Sequence, residues 1–178
     1  MERTLSFKEL DRMLGNHAPF LISLSDGLQE ELYIIIAAAE VGEVGSKVPD
    51  FEGTDEATQQ ALHGILAQSQ PIEINDSCLY EICFHEYIIY QTRNESFCSG
   101  DPDEISQRHG KYLFTFDKSH LLSNLGAITD AQQLADGSFY PGKWTHYGIY
   151  TQNHVIDVVS HRPPVITRHE QAAYTRGN

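Results

Sequence analysis

His146 and Asp157 are residues of this chain whose types and spacing suit proton-transfer chemistry. They lie in two apolar-rich segments, 144–150 and 154–159, joined by a short polar connection. This pattern predicts an antiparallel β-hairpin. In the register that the connection sets, Gly148 pairs with Asp157, and His146 becomes a diagonal neighbour of Asp157 on the same face, about 7–8 Å away by backbone. A carboxylate at that position can orient an imidazole that acts as a general base.

Cys98 is a candidate nucleophile for such a base. The strand His146-Tyr-Gly-Ile-Tyr150 resembles the strand that carries the catalytic histidine in NlpC/P60 cysteine peptidases and the related lecithin:retinol acyltransferase family. The segment Cys98-Ser-Gly100 resembles the nucleophile segment of the peptidases, whereas the acyltransferases have their cysteine after the histidine. The resemblance implies a cysteine hydrolase or acyltransferase in which Cys98 attacks, His146 accepts the proton and Asp157 orients the ring. The segment Asp101–Glu104 departs from the family, which has an apolar helix after the cysteine, and its three carboxylates would raise the thiol pKa.

Metal binding is a second kind of site that the histidines suggest. The chain has nine histidines, and the conceivable ligands are His85, Glu86, His146, His154 and Asp157. No HExxH motif occurs, the cysteines form no CxxC pair, and the spacing of His146 and His154 matches no standard zinc pair. The loop Asp101–Glu104 could chelate calcium but lacks the EF-hand pattern. We therefore predict no metal site and no cofactor.

The negative charge is concentrated in the first part of the chain. The net charge is −13. Residues 1–104 hold 20 acids and five bases, a balance of −15, whereas residues 105–178 have a balance of +2. Lys and Arg are absent between Lys47 and Arg93. Such a surface repels phosphate backbones, so we expect no binding to nucleic acid.

The base-free stretch is a candidate surface for a basic protein partner. Carboxylates on a rigid face accept bidentate hydrogen bonds from arginine and steer association with a cationic protein. The expected partner-binding residues are Asp50, Glu52, Asp55, Glu56, Glu73, Asp76, Glu81 and Glu86. This predicts a binding or inhibitor protein, most concretely an immunity protein against a bacterial toxin such as a nuclease, and an enzyme is the less favoured alternative. We expect the isolated base Arg93 to pair with Glu95 or Glu86.

The compartment follows from what the sequence lacks. Charges interrupt any hydrophobic region of a signal peptide at the N-terminus, and the longest apolar stretch, Leu32–Ala39, is far shorter than the roughly 20 residues of a membrane span. An odd number of cysteines argues against a disulfide framework. We expect a cytoplasmic protein with no membrane contact, and the oligomeric state stays open.

The elements that would position these residues are helices first and strands after. Ser6 and Glu9 form a capping-box pattern before a first helix. A second helix is expected to Ala39 with Ser25 or Asp26 as its cap, and a third from Asp55 to Ser69. Residues 78–93 favour a long strand or two strands broken at His85-Glu86. We predict one α+β domain over 1–165, with N-terminal helices packed on a mainly antiparallel sheet, and a flexible tail over 166–178.

Overall fold

A computed structural model describes residues 4–45 and 53–169. Its helices are α1 (Phe7–Leu14), α2 (Glu56–Leu66) and α3 (His120–Ile128), with a short 3-10 helix at Glu95–Phe97. The strands are β1 (Phe20–Asp26), β2 (Glu31–Val41), β3 (Ile72–His85), β4 (Tyr87–Asn94), β5 (Ile105–Arg108), β6 (Leu113–Lys118), β7 (Gln132–Gln133), β8 (Phe139–Tyr140), β9 (Thr145–Tyr150), β10 (His154–Ser160) and β11 (Val165–His169). This is an α+β chain dominated by antiparallel strands, as the sequence predicts at the level of class.

The strands form two main antiparallel sheets. The first sheet has the order β1-β2-β3-β11 and the second has the order β4-β10-β9-β6-β5, while β7 and β8 pair separately. Fully buried side chains from both sheets belong to one hydrophobic cluster, among them Ile34, Ile82, Leu113, Ile149 and Ile156. The core therefore joins the two sheets. Since Ile149 and Ile156 belong to this core, the side chains on the other face of the β9–β10 hairpin point away from it.

The chain passes from the first sheet to the second at Glu86. Strand β3 ends at His85 and β4 begins at Tyr87. Glu86 has a positive φ of 56°, a left-handed conformation that interrupts both strands. Its backbone N–H donates to the carbonyl of Glu30, 2.9 Å away. Of the two alternatives for this segment, the structure has the two strands broken at His85-Glu86, and each strand lies in a different sheet.

The helix expected from Asp26 to Ala39 is wrong. This part of the chain forms the hairpin of β1 and β2, with a turn in which the Gly27 N–H donates to the Glu31 carbonyl at 2.7 Å. Leu32, Ile34 and Ile36 alternate into the core with no exposed surface. The β-branched isoleucines favour a strand, and a core on one side of β2 stabilises that period of two over the helical spacing.

The expected layer of N-terminal helices is also corrected. Helix α1 contributes Phe7, Leu10 and Leu14 to the shared core. Its capping box is present, with the Ser6 and Glu9 side chains each bonded to the other's backbone N–H. Helix α2 forms where the sequence predicts it, yet none of its residues is buried. Of α1 and α2, therefore, only α1 contributes fully buried side chains to the core.

A buried carboxylate attaches α1 to the second sheet. Asp11 is 4% exposed and accepts backbone N–H bonds from Lys111, Tyr112 and Leu113 at 2.7, 2.7 and 3.0 Å. A side chain at Gly110 would collide with that carboxylate. This contact holds the turn before β6 beneath α1.

The tail expected from residue 166 is partly wrong, because residues 166–169 belong to β11 and pair with β3. The backbone N–H of Leu5 also donates to the Ile166 carbonyl, and Ile166 is 1% exposed. Burial of this isoleucine stabilises a last strand after the Pro163-Pro164 pair. The rest of the predicted tail lies outside the described residues. No helix within the described ranges is long and apolar enough to cross a membrane.

Candidate functional site

The β9–β10 hairpin has the register that the sequence predicts. Gly148 pairs with Asp157 and His146 pairs with Val159. The side chains of His146 and Asp157 share one face, and His146 Nε2 lies 3.0 Å from Asp157 Oδ1. Both side chains are buried, at 3% and 1% exposure. The predicted pairing of the imidazole with this carboxylate is therefore present.

The second oxygen of Asp157 is held by strand β4. Gln91 Nε2 donates to Asp157 Oδ2 at 3.0 Å, and Arg93 donates to the same oxygen from Nε at 3.0 Å and from Nη2 at 2.9 Å. Burial disfavours the charged carboxylate, but the hydrogen bonds from His146 and Gln91 and the charge of Arg93 outweigh it and hold the pKa of Asp157 below its ordinary value. Asp157 is thus an ionised carboxylate with charge-assisted partners.

Arg93 is a residue of this network whose partner sequence reasoning missed. We expected it to pair with Glu95 or Glu86, which are near it in the chain. Instead β4 lies beside β10, where Gln91 is directly opposite Asp157 and Arg93 is opposite Val155. The isolation of Arg93 in a base-free stretch was a usable signal that it is paired, but only the strand pairing identifies the partner.

The other ring nitrogen of His146 contacts Ser119, the N-cap of α3. Ser119 Oγ lies 2.8 Å from His146 Nδ1 and also accepts the backbone N–H of Leu122 at 3.1 Å. An imidazole with its proton on Nε2 satisfies all of these bonds, since Ser119 then donates to Nδ1. Phe116 stacks on the ring, with centroids 4.3 Å apart and planes 17° from parallel. Both nitrogens of His146 are therefore engaged.

Cys98, His146 and Asp157 line one cavity of about 240 Å³, together with Arg93 and His120. The Cys98 thiol is 3.3 Å from the carbonyl of Asn94, to which it donates. Cys98 follows the short 3-10 helix and does not begin an apolar helix as in the NlpC/P60 family. The structure therefore brings the three predicted residues to one cavity. Both ring nitrogens of His146 are bonded, to Ser119 and to Asp157, so neither is free to accept a proton from the Cys98 thiol.

The conceivable metal ligands do not form one cluster. His85 ends β3 and Glu86 follows it, whereas His146 and Asp157 lie in the buried network and His154 begins β10. Within residues 4–45 and 53–169, no group of three His, Cys, Asp or Glu side chains could hold a metal ion.

Two of the predicted partner-binding residues take part in internal ion pairs. Glu81 lies 3.6 Å from His169, and Glu86 contacts Arg162 at 2.7 Å and His161 at 3.2 Å. Asp50 and Glu52 lie outside the described residues. The structure therefore separates the six acids that it describes into groups with different surroundings.

The other four predicted acids lie at the start of α2 or on the first part of β3. They belong to what we call the α2 end, defined as residues 40–45 and 53–76. The two ranges are joined by backbone hydrogen bonds, in which the Gly42 N–H donates to the Pro71 carbonyl and the Gly45 N–H donates to the Ser69 carbonyl. The acids of the α2 end are Glu40, Glu43, Asp55, Glu56, Glu73 and Asp76, and these ranges contain no Lys or Arg. Asp55 caps α2 by accepting the N–H of Thr58 at 3.0 Å.

Comparison with protein-family models, with curated proteins and with solved structures finds no match for this chain.

Proposed function

We propose that this chain is an acidic binding protein that neutralises a basic protein partner, and that an immunity protein against a bacterial toxin is its most concrete form. One observation carries the proposal: the α2 end combines carboxylates, no Lys or Arg, and exposed apolar side chains. Val41, Val44 and Ile65 are 48%, 60% and 68% exposed. An apolar centre within a charged rim is the usual composition of a protein interface.

Helix α2 supports this proposal through an apolar side chain that it leaves exposed. None of its residues is fully buried. Leu62 and Leu66 are half-buried, whereas Ile65 is 68% exposed. Contact with a partner would bury Ile65 and so add stability.

The charge at the α2 end favours a cationic partner over a neutral one. Glu40 and Glu73 are directly opposite each other in the β2–β3 pair. Exposed carboxylates at this end, such as Glu56 and Asp76, can accept charge-assisted hydrogen bonds from lysine or arginine. Lysine and arginine are the residues by which nucleases hold their substrates, which makes a nuclease toxin a suitable partner.

The test measures binding to the product of the gene next to the one that encodes this chain. The variant Glu56→Lys/Asp76→Lys reverses two exposed acids at the α2 end, and we expect it to weaken binding by about 10-fold or more. The control Glu95→Lys/Asp103→Lys makes the same change of net charge on the loop after β4 and should change affinity by less than about 3-fold. Calorimetry at about 0.05 and 0.3 M salt should give weaker binding at the higher concentration. Equal losses in both variants, or no dependence on salt, would overturn the proposal.

A second candidate function is a cysteine hydrolase or acyltransferase that uses Cys98, His146 and Asp157. The observation that favours it is the cavity that all three residues line. Catalysis requires His146 to give up its bond with Ser119 and accept the thiol proton from Cys98. Turnover of a simple acyl thioester that is lost in Cys98→Ala and kept in Cys78→Ala would support this function, and turnover unaffected by Cys98→Ala would exclude it.

A further inference from the structure

The outer face of the first sheet carries a second set of thiol, imidazole and carboxylate. Cys83 and His85 are two residues apart on β3, so their side chains lie on the same face. Glu31 on β2 is directly opposite His85, and Tyr33 is directly opposite Cys83. The neighbouring residues Leu32, Ile34, Ile82 and Phe84 point into the core. The four polar side chains therefore lie on the side of the sheet away from the core.

The atoms in this set are in the order of a nucleophile, a base and an orienting acid. Cys83 Sγ is 3.5 Å from His85 Nε2, and His85 Nδ1 is 3.3 Å from Glu31 Oε1. Tyr33 donates from its hydroxyl to the other oxygen of Glu31 at 2.9 Å. In the His146 network, by contrast, the ring nitrogens contact a capping serine and a saturated carboxylate. Here one nitrogen faces a thiol, and the carboxylate holds the ring in position for it.

We propose that Cys83 is a site of thiol–disulfide exchange, with His85 as its general base and Glu31 as the residue that positions His85. This inference is independent of the proposed binding function, which depends on the α2 end. The reaction partner that we infer is a small, positively charged disulfide. Glu31 and Glu81 flank the thiol, and the chain has a net charge of −13, so anionic disulfides are repelled.

The exchange step balances without any further oxidant. As Cys83 Sγ attacks one sulfur of the disulfide, the thiol proton moves to His85 Nε2 and a new S–S bond forms. The S–S bond of the reagent breaks, and its second sulfur leaves as a thiolate, which then takes the proton from His85. The products are a mixed disulfide on Cys83 and one free small thiol.

The surroundings of Cys83 explain why a base is needed. Burial, and then the charges of Glu31 and Glu81, raise the pKa of the Cys83 thiol, while the nearby Tyr33 hydroxyl opposes them. The thiolate is therefore scarce at neutral pH, and attack requires removal of the proton during the reaction. The titratable groups that face Cys83 are Glu31 and Tyr33 on β2 and Glu81 and His85 on β3, while β11 places Val165 opposite it.

Access restricts the reagents to small linear molecules. Cys83 is 5% exposed, whereas the side chain of His85 above the sheet is 42% exposed. Because Cys78 and Cys98 are both less buried, exposure alone would make them react faster than Cys83. A reaction rate at Cys83 that depends on His85 would therefore reflect proton transfer and not exposure of the thiol.

The test uses the full chain with Cys78→Ser and Cys98→Ser, so that Cys83 is the one reactive thiol. Mass spectrometry follows mixed-disulfide formation with cystamine, a dication, and with bis(2-hydroxyethyl) disulfide, which is neutral. At pH 7 we expect His85→Gln to slow the reaction with cystamine by about 10-fold or more. The matched control is His169→Gln, which removes another imidazole of this sheet that pairs with Glu81. It should leave the rate within about 2-fold.

Two further readouts separate general-base catalysis from a structural role. The rate at Cys83 should reach a plateau below the pH at which the thiol itself ionises, because base-assisted attack needs no free thiolate, and His85→Gln should remove that plateau. Cystamine should react faster than the neutral disulfide at low salt, and the difference should shrink at high salt. Equal rates in His85→Gln and His169→Gln, a rate that climbs steadily to pH 9 as for a free thiolate, or a Cys83 that does not react in the folded chain would each overturn the proposal.

Discussion

The two sheets each contain a histidine paired with a carboxylate, and the two pairs differ in what else surrounds them. His146 and Asp157 in the second sheet are 3.0 Å apart and almost fully buried. His85 and Glu31 in the first sheet are 3.3 Å apart, with side chains 42% and 23% exposed. In the buried pair both ring nitrogens and both carboxylate oxygens have partners. In the exposed pair the second nitrogen of the histidine faces a thiol.

The comparison teaches that residue types alone do not distinguish a structural network from a reactive one. A buried carboxylate must be saturated with hydrogen bonds to remain charged, and this uses the groups that chemistry would need. An exposed pair is solvated on one side and can leave a nitrogen directed at a neighbour. We therefore expect the buried pair to determine stability and the exposed pair to affect reactivity.

The largest effect should follow from Asp157→Asn. This change removes the charge that Arg93, Gln91 and His146 surround, and it should lower the free energy of unfolding by about 2–3 kcal/mol, since removing one partner of a buried ion pair is costly and Arg93 can partly return to solvent. Urea denaturation measures it. The matched change Glu31→Gln should cost less than about 1 kcal/mol. Similar losses in the two variants would show that the burial of Asp157 gives it no special role in stability.

The pH dependence of stability should show the contribution of the charged Asp157 side chain. Because the folded state lowers the pKa of Asp157, its charge stabilises the protein at neutral pH. This contribution is complete above the unfolded pKa of about 3.9 and is lost as the pH falls below it toward the folded pKa. The difference in unfolding free energy between the native chain and Asp157→Asn should be constant from about pH 5 to 8 and should shrink below about pH 4. A difference that is unchanged at pH 3 would contradict the lowered pKa.

Ser119→Ala should have a smaller effect. The substitution removes the cap of α3 and the hydrogen bond to His146 Nδ1, and we expect a loss of about 1–2 kcal/mol in unfolding free energy. Ser6→Ala is its control, since Ser6 caps α1 at an exposed position. That variant should lose about 1 kcal/mol or less. If Ser119→Ala costs no more than Ser6→Ala, the bond to His146 adds nothing to the cap.

The smallest change concerns Tyr33, which reports on the exposed pair. The hydrogen bond to Glu31 raises the pKa of Tyr33 to about 12. In Glu31→Gln the acceptor loses its charge, so the pKa of Tyr33 should fall toward its ordinary value of about 10. Carbon-13 NMR of the tyrosine ring carbons measures the titration of each residue. A pKa for Tyr33 that is the same in both proteins would show that the hydroxyl does not bind Glu31 in solution.

Local pattern was sufficient for the elements whose signals lie close together in the chain. The capping box at Ser6 and Glu9, the cap at Asp55 and the hairpin that joins His146 to Asp157 all depend on residues a few positions apart. The segment from Asp26 to Ala39 failed because its apolar residues fit both helical and strand spacing. The core against β2 decided between the two, and that core is assembled from distant parts of the chain.

The amino-acid sequence by itself determined the concentration of negative charge in residues 1–104, the α+β class and the pairing of His146 with Asp157. Each of these follows from composition or from contacts across one short turn. Tertiary structure alone decided that Arg93 completes the Asp157 site, that Ser119 occupies the second nitrogen of His146, and that Cys83 lies beside His85 and Glu31. Those contacts join strands that are far apart in the chain or depend on the direction of side chains, and packing of the two sheets around one core determines both.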